Sequence, residues 1–265
     1  MLRARLATAA VAIPLLLALI LAAPAWGFST FAIVLSILGL IEYASLAFPA
    51  RIGQQVLTVA PGIPIVLAVA GGEGIYLGAA LSFAVVIGLT VTLLLRHDFE
   101  EGLRDLGVGW LGILYIGVLL PHFALVHRLS PDGPLLVIYL IGVGMAGDTS
   151  GYFVGHAFGR HKLIPRVSPG KTIEGAAGII LGSILAGALL KPILLANWTW
   201  AKAVWMSAFL GVVGQFGDLS ESMMKRLFGA KDSGRLFPGH GGILDRIDSL
   251  LFPVVFLYYH VVLSG

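Results

Sequence analysis

The feature that most restricts this chain is the length of its uncharged runs. No Asp, Glu, Lys or Arg interrupts residues 6–41, 52–72, 74–95, 106–127, 133–147, 175–190, 203–217 or 249–265. A helix needs ~20 mostly apolar residues to cross a bilayer, and within the hydrocarbon every backbone polar group must be paired by a helix or a closed barrel. Several of the runs reach or approach that length. The first is long enough for two helices, with Pro24-Ala25-Trp26-Gly27 as the turn between them. Barrel strands alternate apolar and polar residues, whereas these runs are continuous, so a barrel is excluded. The expected fold is all-α, a polytopic integral membrane helical bundle of about nine transmembrane helices. They fall roughly at 6–23, 28–48, 55–71, 74–95, 108–127, 134–157, 173–191, 201–224 and 247–264. Composition agrees. Only 12% of residues are charged and 58% are apolar, with mean hydropathy +0.95, against about a quarter charged in a soluble domain. Thirty-five glycines suit close helix packing in lipid. No long linker, charge block, low-complexity tract or strong repeat divides the chain, so 1–265 reads as a single membrane domain.

Nine spans put the termini on opposite sides, and the distribution of Lys and Arg then sets the orientation. With the N-terminus inside, fourteen of the 17 cations lie in cytoplasmic segments, and only Arg128, Lys191 and Lys202 lie outside. The net charge of +3 and pI near 9.3 are therefore topology, and no nucleic-acid partner is implied. Arg3, Arg5, the apolar run and Ala23-Pro24-Ala25 also resemble a cleavable signal peptide. Pro24 is unfavourable at that cleavage position and a second span follows at once, so the segment is expected to stay as a helix. The absence of cysteine excludes disulfides, thiolate metal sites and a Cys nucleophile.

Charge concentrates at 218–248, which holds Asp218, Glu221, Asp232, Asp245 and Asp248 against Lys225, Arg226, Lys231, Arg235 and Arg246. Both ends of this segment run into apolar helices, where ionised groups are costly and by default functional. Asp218, Glu221, Ser222 and Lys225 are spaced i, i+3, i+4, i+7 and so form one polar stripe. Asp245 and Asp248 are spaced i, i+3 at the start of the last helix. Asp245 could simply cap that helix, but a cap accounts for one carboxylate and not three. Between stripe and helix lies Pro238-Gly239-His240-Gly241-Gly242, either a flexible turn or a loop whose backbone N–H groups cradle phosphate at a helix N-terminus. Carboxylates beside bound phosphate repel it unless a hard divalent cation intervenes, so the set points to Mg²⁺ bridging a polyphosphate.

A second polar patch, Asp148-Thr149-Ser150-Gly151-Tyr152, ends an otherwise apolar span and leads to Gly159-Arg160-His161-Lys162 and Ser168-Pro169-Gly170-Lys171-Thr172-Ile173-Glu174-Gly175. Asp148 is read as a site residue. The basic stretch 160–171 serves equally as a topology determinant or a contact for anionic headgroups. Gly142-Val143-Gly144-Met145-Ala146-Gly147 matches a dinucleotide fingerprint, but no strand precedes it and it lies within an apolar helix, so helix packing is the better account. Gly170-Lys171-Thr172 lacks the first P-loop glycine, Pro165 standing there. Glu42, late in the second span, is open between a functional role, a paired structural role and a place near the membrane interface. His97, His122, His127 and His156 have no metal-ligand spacing, and 96–101 reads as a solvated connection.

Ser222-x-Met224-Lys225-Arg226, Lys231-Asp232, Gly234, Phe237-Pro238, His240-Gly241-Gly242-Ile243 and Asp245-Arg246-Ile247-Asp248 together resemble the signature of the phosphatidate cytidylyltransferases, the CDP-diacylglycerol synthases. Residues 148–155 and 168–175 are similar to the same family, although Gly151 stands where that family more often carries Ala. The resemblance implies a transferase that makes CDP-diacylglycerol and pyrophosphate from CTP and phosphatidate, with Mg²⁺ and a monovalent cation such as K⁺ as candidate cofactors. It implies a bacterial inner-membrane enzyme among membrane lipids with its site facing the cytoplasm; a homodimer is an allowed assembly. On this reading Asp218 and Asp245 are the first expected metal ligands, followed by Asp248 and Asp148. Lys225, Arg226, Lys231 and the His240, Gly241, Gly242 loop would hold CTP phosphates, with Asp232 in the same signature. Lys171 or Arg246 would hold the lipid phosphate. The competing classes are a CTP-dependent lipid or polyprenol kinase, and a transporter, which would carry its polar residues at midplane in two matching halves.

Overall fold

A computed structural model describes residues 2–234 and 241–264, with side chains from residue 12 onward. Ten α-helices account for most of it: α1 Leu2–Ala22, α2 Ala25–Ala47, α3 Ile52–Gly71, α4 Gly74–Leu95, α5 Phe99–Gly112, α6 His122–His127, α7 Gly133–Phe158, α8 Ile173–Leu194, α9 Trp200–Leu227 and α10 Leu244–Ser264. Seven of the described segments are long and apolar enough to cross a membrane, α5 and α6 counting as one continuous span through Phe99–His127. The chain is an integral membrane protein of the helical class. Eight of the nine expected segments each coincide with a helix, and 108–127 runs over the end of α5, a π-helical turn and α6. α9, at 28 residues, is long enough to cross, but its second half carries the polar stripe.

The described residues form two compact units. The first comprises 1–24, 126–231 and 246–265; the second comprises 25–125 and 232–245. In the first, α7 and α8 lie against each other through small residues. A Cβ on Gly182 would come within 2.2 Å of Ser150 Oγ, and one on Gly151 within 2.3 Å of Ile179 Cγ1. Such stripes let helix backbones approach in lipid, where burial of apolar area supplies little force between helices. Gly142, Gly144 and Gly147 face Leu190, Leu250 and Ser183, so the fingerprint-like segment is indeed a packing surface.

The stretch between α7 and α8 folds as an antiparallel hairpin of β1 Lys162–Ile164 and β2 Ser168–Thr172, with Lys162 paired to Thr172 and Ile164 to Ser168. Thr172 then caps α8, its hydroxyl accepting from Gly175 N at 3.1 Å. Glu174 in the first turn accepts from the backbone N–H of Arg160 and His161, at 3.1 and 3.2 Å, and pairs with the His161 ring at 2.6 Å. The hairpin is thus fastened at both ends to the helix it precedes.

In the second unit α5 begins earlier than expected. Asp98 caps it by accepting from Glu100 N and Glu101 N, and the polar first turn then runs into apolar residues. Past Gly112 the helix widens into a π-helical turn at Ile113–Val118 before breaking ahead of Pro121, which has no N–H to donate. Two of the four histidines noted in the sequence are hydrogen-bonded: His122 Nδ1 with Val118 O in this unit, and His127 Nε2 with Ile20 O in the first, each at 2.8 Å.

Candidate active site

In the first unit three carboxylates from three helices meet. Asp148 comes from the polar end of α7, Asp218 from α9 and Asp248 from the first turns of α10. Asp148 interacts electrostatically with Asp218 and Lys171, and Asp248 with Asp218, Lys225 and Asp148. Glycines set the spacing of α9 against α10. A Cβ on Gly217 would lie 2.4 Å from the Asp248 carbonyl oxygen, and one on Gly214 would lie 2.8 Å from that of Ser249. Only a helix face without side chains lets the α10 backbone come so near, and that approach brings Asp248 beside Asp218.

The polar stripe of α9 is the other half of the arrangement. Lys171 reaches from β2 to pair with Asp218 Oδ2 at 2.6 Å. Ser222 donates to Asp218 Oδ1 at 3.4 Å, one turn along the helix. Glu221, 2% exposed, pairs with Lys225 one turn on. Ser249 donates its hydroxyl to Asp148 Oδ2 at 3.0 Å, and its backbone N–H reaches Asp248 Oδ1 at 2.7 Å. On the far side of α9, Phe216, Met223 and Leu227 are exposed, as expected of a helix that turns its charges inward.

Four carboxylates, Asp148, Asp218, Glu221 and Asp248, therefore stand with two ammonium groups, Lys171 and Lys225. In a low-dielectric setting such a deficit of positive charge favours a bound cation. Among the described residues no group of three or more His, Asp or Glu side chains is arranged as a ready-made metal cage. Small hard cations are commonly held by one or two carboxylates, with phosphate oxygens and water completing the shell. The donor chemistry, all oxygen, suits Mg²⁺.

The remaining expected residues fall elsewhere. Arg226 donates to the carbonyls of Val167 and Ala230, each at 3.3 Å, tying the hairpin turn to the end of α9. Lys231, Asp232 and Arg246 are exposed. His240 lies outside the described residues. Asp245 belongs to the second unit, where its Oδ2 accepts from Ser233 N at 3.0 Å, Ser233 Oγ at 2.9 Å and Gly242 N at 2.9 Å. Gly241 has φ +79°, in the left-handed region that favours glycine.

One residue left open by the sequence acquires a clear task. Glu42 on α2 accepts from Ser233 Oγ at 2.6 Å, Ile243 N at 2.9 Å and Leu244 N at 3.0 Å. It thereby satisfies N–H groups at the start of α10, which no turn of helix can pair. Gly242 leaves the space it needs: a Cβ there would meet Glu42 Oε1 at 2.1 Å. The only local signal of this is a carboxylate in an apolar span, which in a membrane helix asks for a partner.

Comparison with known proteins gives this geometry a context. Residues 3–264 match the sequence profile of the cytidylyltransferase family. A phosphatidate cytidylyltransferase of Bacillus subtilis is 38% identical over 177 residues, 67% of this chain and 65% of that protein. One from Brucella abortus is 42% identical over 154 residues, 57% of each chain. One from Staphylococcus epidermidis is 37% identical over 173 residues, 65% of this chain and 64% of that protein. The chain thus spans 57–65% of the length of these curated relatives. With the profile covering the stripe of α9, the hairpin lysine and the acidic start of α10 alike, the chain belongs to the cytidylyltransferase family.

Proposed function

We propose that this protein transfers the cytidylyl group of CTP to phosphatidate, giving CDP-diacylglycerol and pyrophosphate. The observation that carries the proposal is the convergence of Asp148, Asp218 and Asp248 with Lys171 and Lys225, in a chain whose family acts as cytidylyltransferases and whose relatives are named for phosphatidate. An oxygen of the lipid phosphate attacks the α-phosphorus of CTP, the bond from that phosphorus to the β-bridging oxygen breaks, and pyrophosphate leaves with the electron pair. A phosphate monoester has its second pKa near ~6, so at neutral pH the nucleophile is already an anion. Neither a general base nor a covalent intermediate is required.

The difficulty is to hold two anions in line, which positioned cations address. Lys225 on α9, with Lys231 a few residues beyond the end of that helix, would screen the triphosphate, and Lys171 at the hairpin edge would meet the lipid phosphate. Lys171 then exchanges its Asp218 partner for phosphate when substrate arrives. Asp218 and Asp248 would hold Mg²⁺, with Asp148 close by, and the ion would supply charge neutralisation to the reacting phosphates; K⁺ remains a candidate second ion. Asp245, with Oδ2 engaged by three donors, is assigned to tying Ser233 and Gly242 together. The cation distribution supports a site opening to the cytoplasm of a bacterial inner membrane.

Purified protein in detergent with phosphatidate and Mg²⁺ tests the proposal. Label from α-³²P CTP enters the lipid and label from γ-³²P CTP does not. The reverse would make the protein a lipid kinase.

A further inference from the structure

We infer that the second unit carries a binding site for an anionic phospholipid, with one acyl chain in a cleft among α3, α4 and α5 and the headgroup phosphate at Arg51 and Arg96. The cleft has a volume of about 690 Å³ and is walled by Val56, Phe83, Ile87, Val91, Leu106 and Trp110 among others, within the range of sites that take small molecules. It opens beside α4, whose buried residues are only Ala84 and Thr92. In a membrane protein such a helix faces lipid, so the molecule that meets the cleft is a lipid. A wide apolar space does not hold water stably.

Depth and polarity select the occupant. Arg51 precedes α3 and Arg96 follows α4, so both stand at the same end of this antiparallel pair. From Arg51 to Pro64, both lining the cleft, α3 rises about 20 Å at ~1.5 Å per residue. One leaflet contributes ~15 Å of hydrocarbon, so the cleft accommodates a chain from a single leaflet with its head at the arginine end. There, Arg51 and Arg96 both pair with the buried Asp105, Arg51 also with Glu101 at 3.2 Å, and Gln54 donates to Asp105 at 2.9 Å. A guanidinium has five N–H donors, and these two direct four hydrogen bonds to the two carboxylates. Their side chains stay 38% and 29% exposed. Donor capacity at the mouth of an apolar cleft is the complement of a phosphate on an acyl chain. The five residues concerned, Arg51, Gln54, Arg96, Glu101 and Asp105, all lie in the second unit, and nothing in the transferase reading depends on them.

Trp110 in the cleft wall provides the probe. With Trp26, Trp198, Trp200 and Trp205 replaced by Phe, it is the sole tryptophan of the chain. The protein is reconstituted in phosphatidylcholine vesicles, and acyl-brominated phosphatidylglycerol or acyl-brominated phosphatidylcholine is titrated in. The anionic lipid should quench Trp110 at roughly tenfold lower mole fraction, the low end of what a charge-assisted contact contributes. Arg96→Gln, which leaves the Arg51–Asp105 pair in place, should reduce that preference at least threefold. Ala80→Phe, which fills the cleft without touching either arginine, should weaken quenching by both lipids. Equal quenching by the two lipids in the parent, a preference undiminished in Arg96→Gln, or quenching undiminished in Ala80→Phe would each overturn the inference.

Discussion

Gly217→Ala is the most informative small change. The added methyl carbon would lie 2.4 Å from the carbonyl oxygen of Asp248, where ordinary contact begins about 1 Å further out. The obstacle is backbone, not the tip of a flexible side chain, so α9 and α10 must part by about that distance. Overpacking of this kind costs about 1–3 kcal/mol, while replacing a helical glycine by alanine returns up to about 1 kcal/mol. The net loss of about 0–3 kcal/mol leaves the protein folded. Turnover is more exposed, because Asp218 and Asp248 sit on the two helices being separated. A displacement near 1 Å at a reacting centre costs about 100-fold, or ~2.7 kcal/mol of transition-state stabilisation. Initial rates of α-label transfer from CTP to phosphatidate should therefore fall by about two orders of magnitude, with monodispersity and helical content unchanged. Gly53→Ala, where a Cβ meets nothing within 4 Å, is the control and should keep its rate. A Gly217→Ala enzyme with parental kcat would refute the idea that this close approach sets the site.

Three further outcomes are expected. Lys171→Met removes the cation paired to Asp218 and should lower kcat/KM for phosphatidate about 10- to 100-fold, with Lys171→Arg recovering most of it; steady-state kinetics with each substrate varied checks this. Glu42→Ala strips the acceptor from Ser233 and from two N–H groups at the start of α10, and should destabilise by about 2–4 kcal/mol, measured by thermal unfolding in detergent, whereas Glu42→Gln keeps one acceptor oxygen and loses less. In this cysteine-free chain, Lys231→Cys, at an exposed position, should be labelled by an impermeant maleimide only in inverted vesicles; labelling in intact cells would reverse the orientation.

The helical framework was legible because a bilayer demands long apolar runs, and such runs need no partner to be recognised. The start of α5 is hidden in the sequence, since Phe99–Leu106 is polar on one face and reads as solvated chain. The cap Asp98 followed by Glu100 and Glu101 was nonetheless a usable signal. The β1–β2 hairpin was invisible: eight residues in two strands carry no periodicity that a basic loop lacks. In the site, the α9 stripe followed from i, i+3, i+4, i+7 spacing, and the Glu221–Lys225 pair is local. The Lys171–Asp218 pair and the Glu42 clamp join residues far apart in the chain, and no local pattern encodes them. Nor does the i, i+3 spacing of Asp245 and Asp248 reveal which carboxylate turns back onto Ser233 and Gly242.

The central claim is that the carboxylates of α9 and α10 support nucleotidyl transfer. Single-turnover reaction of purified parent protein and Asp218→Asn with α-labelled CTP, phosphatidate and Mg²⁺ tests it most directly, with lipid-borne label and pyrophosphate counted together. The account predicts one pyrophosphate for each labelled lipid in the parent, and neither product from a folded Asp218→Asn. Undiminished product from the variant, or labelled lipid without pyrophosphate in the parent, would contradict it.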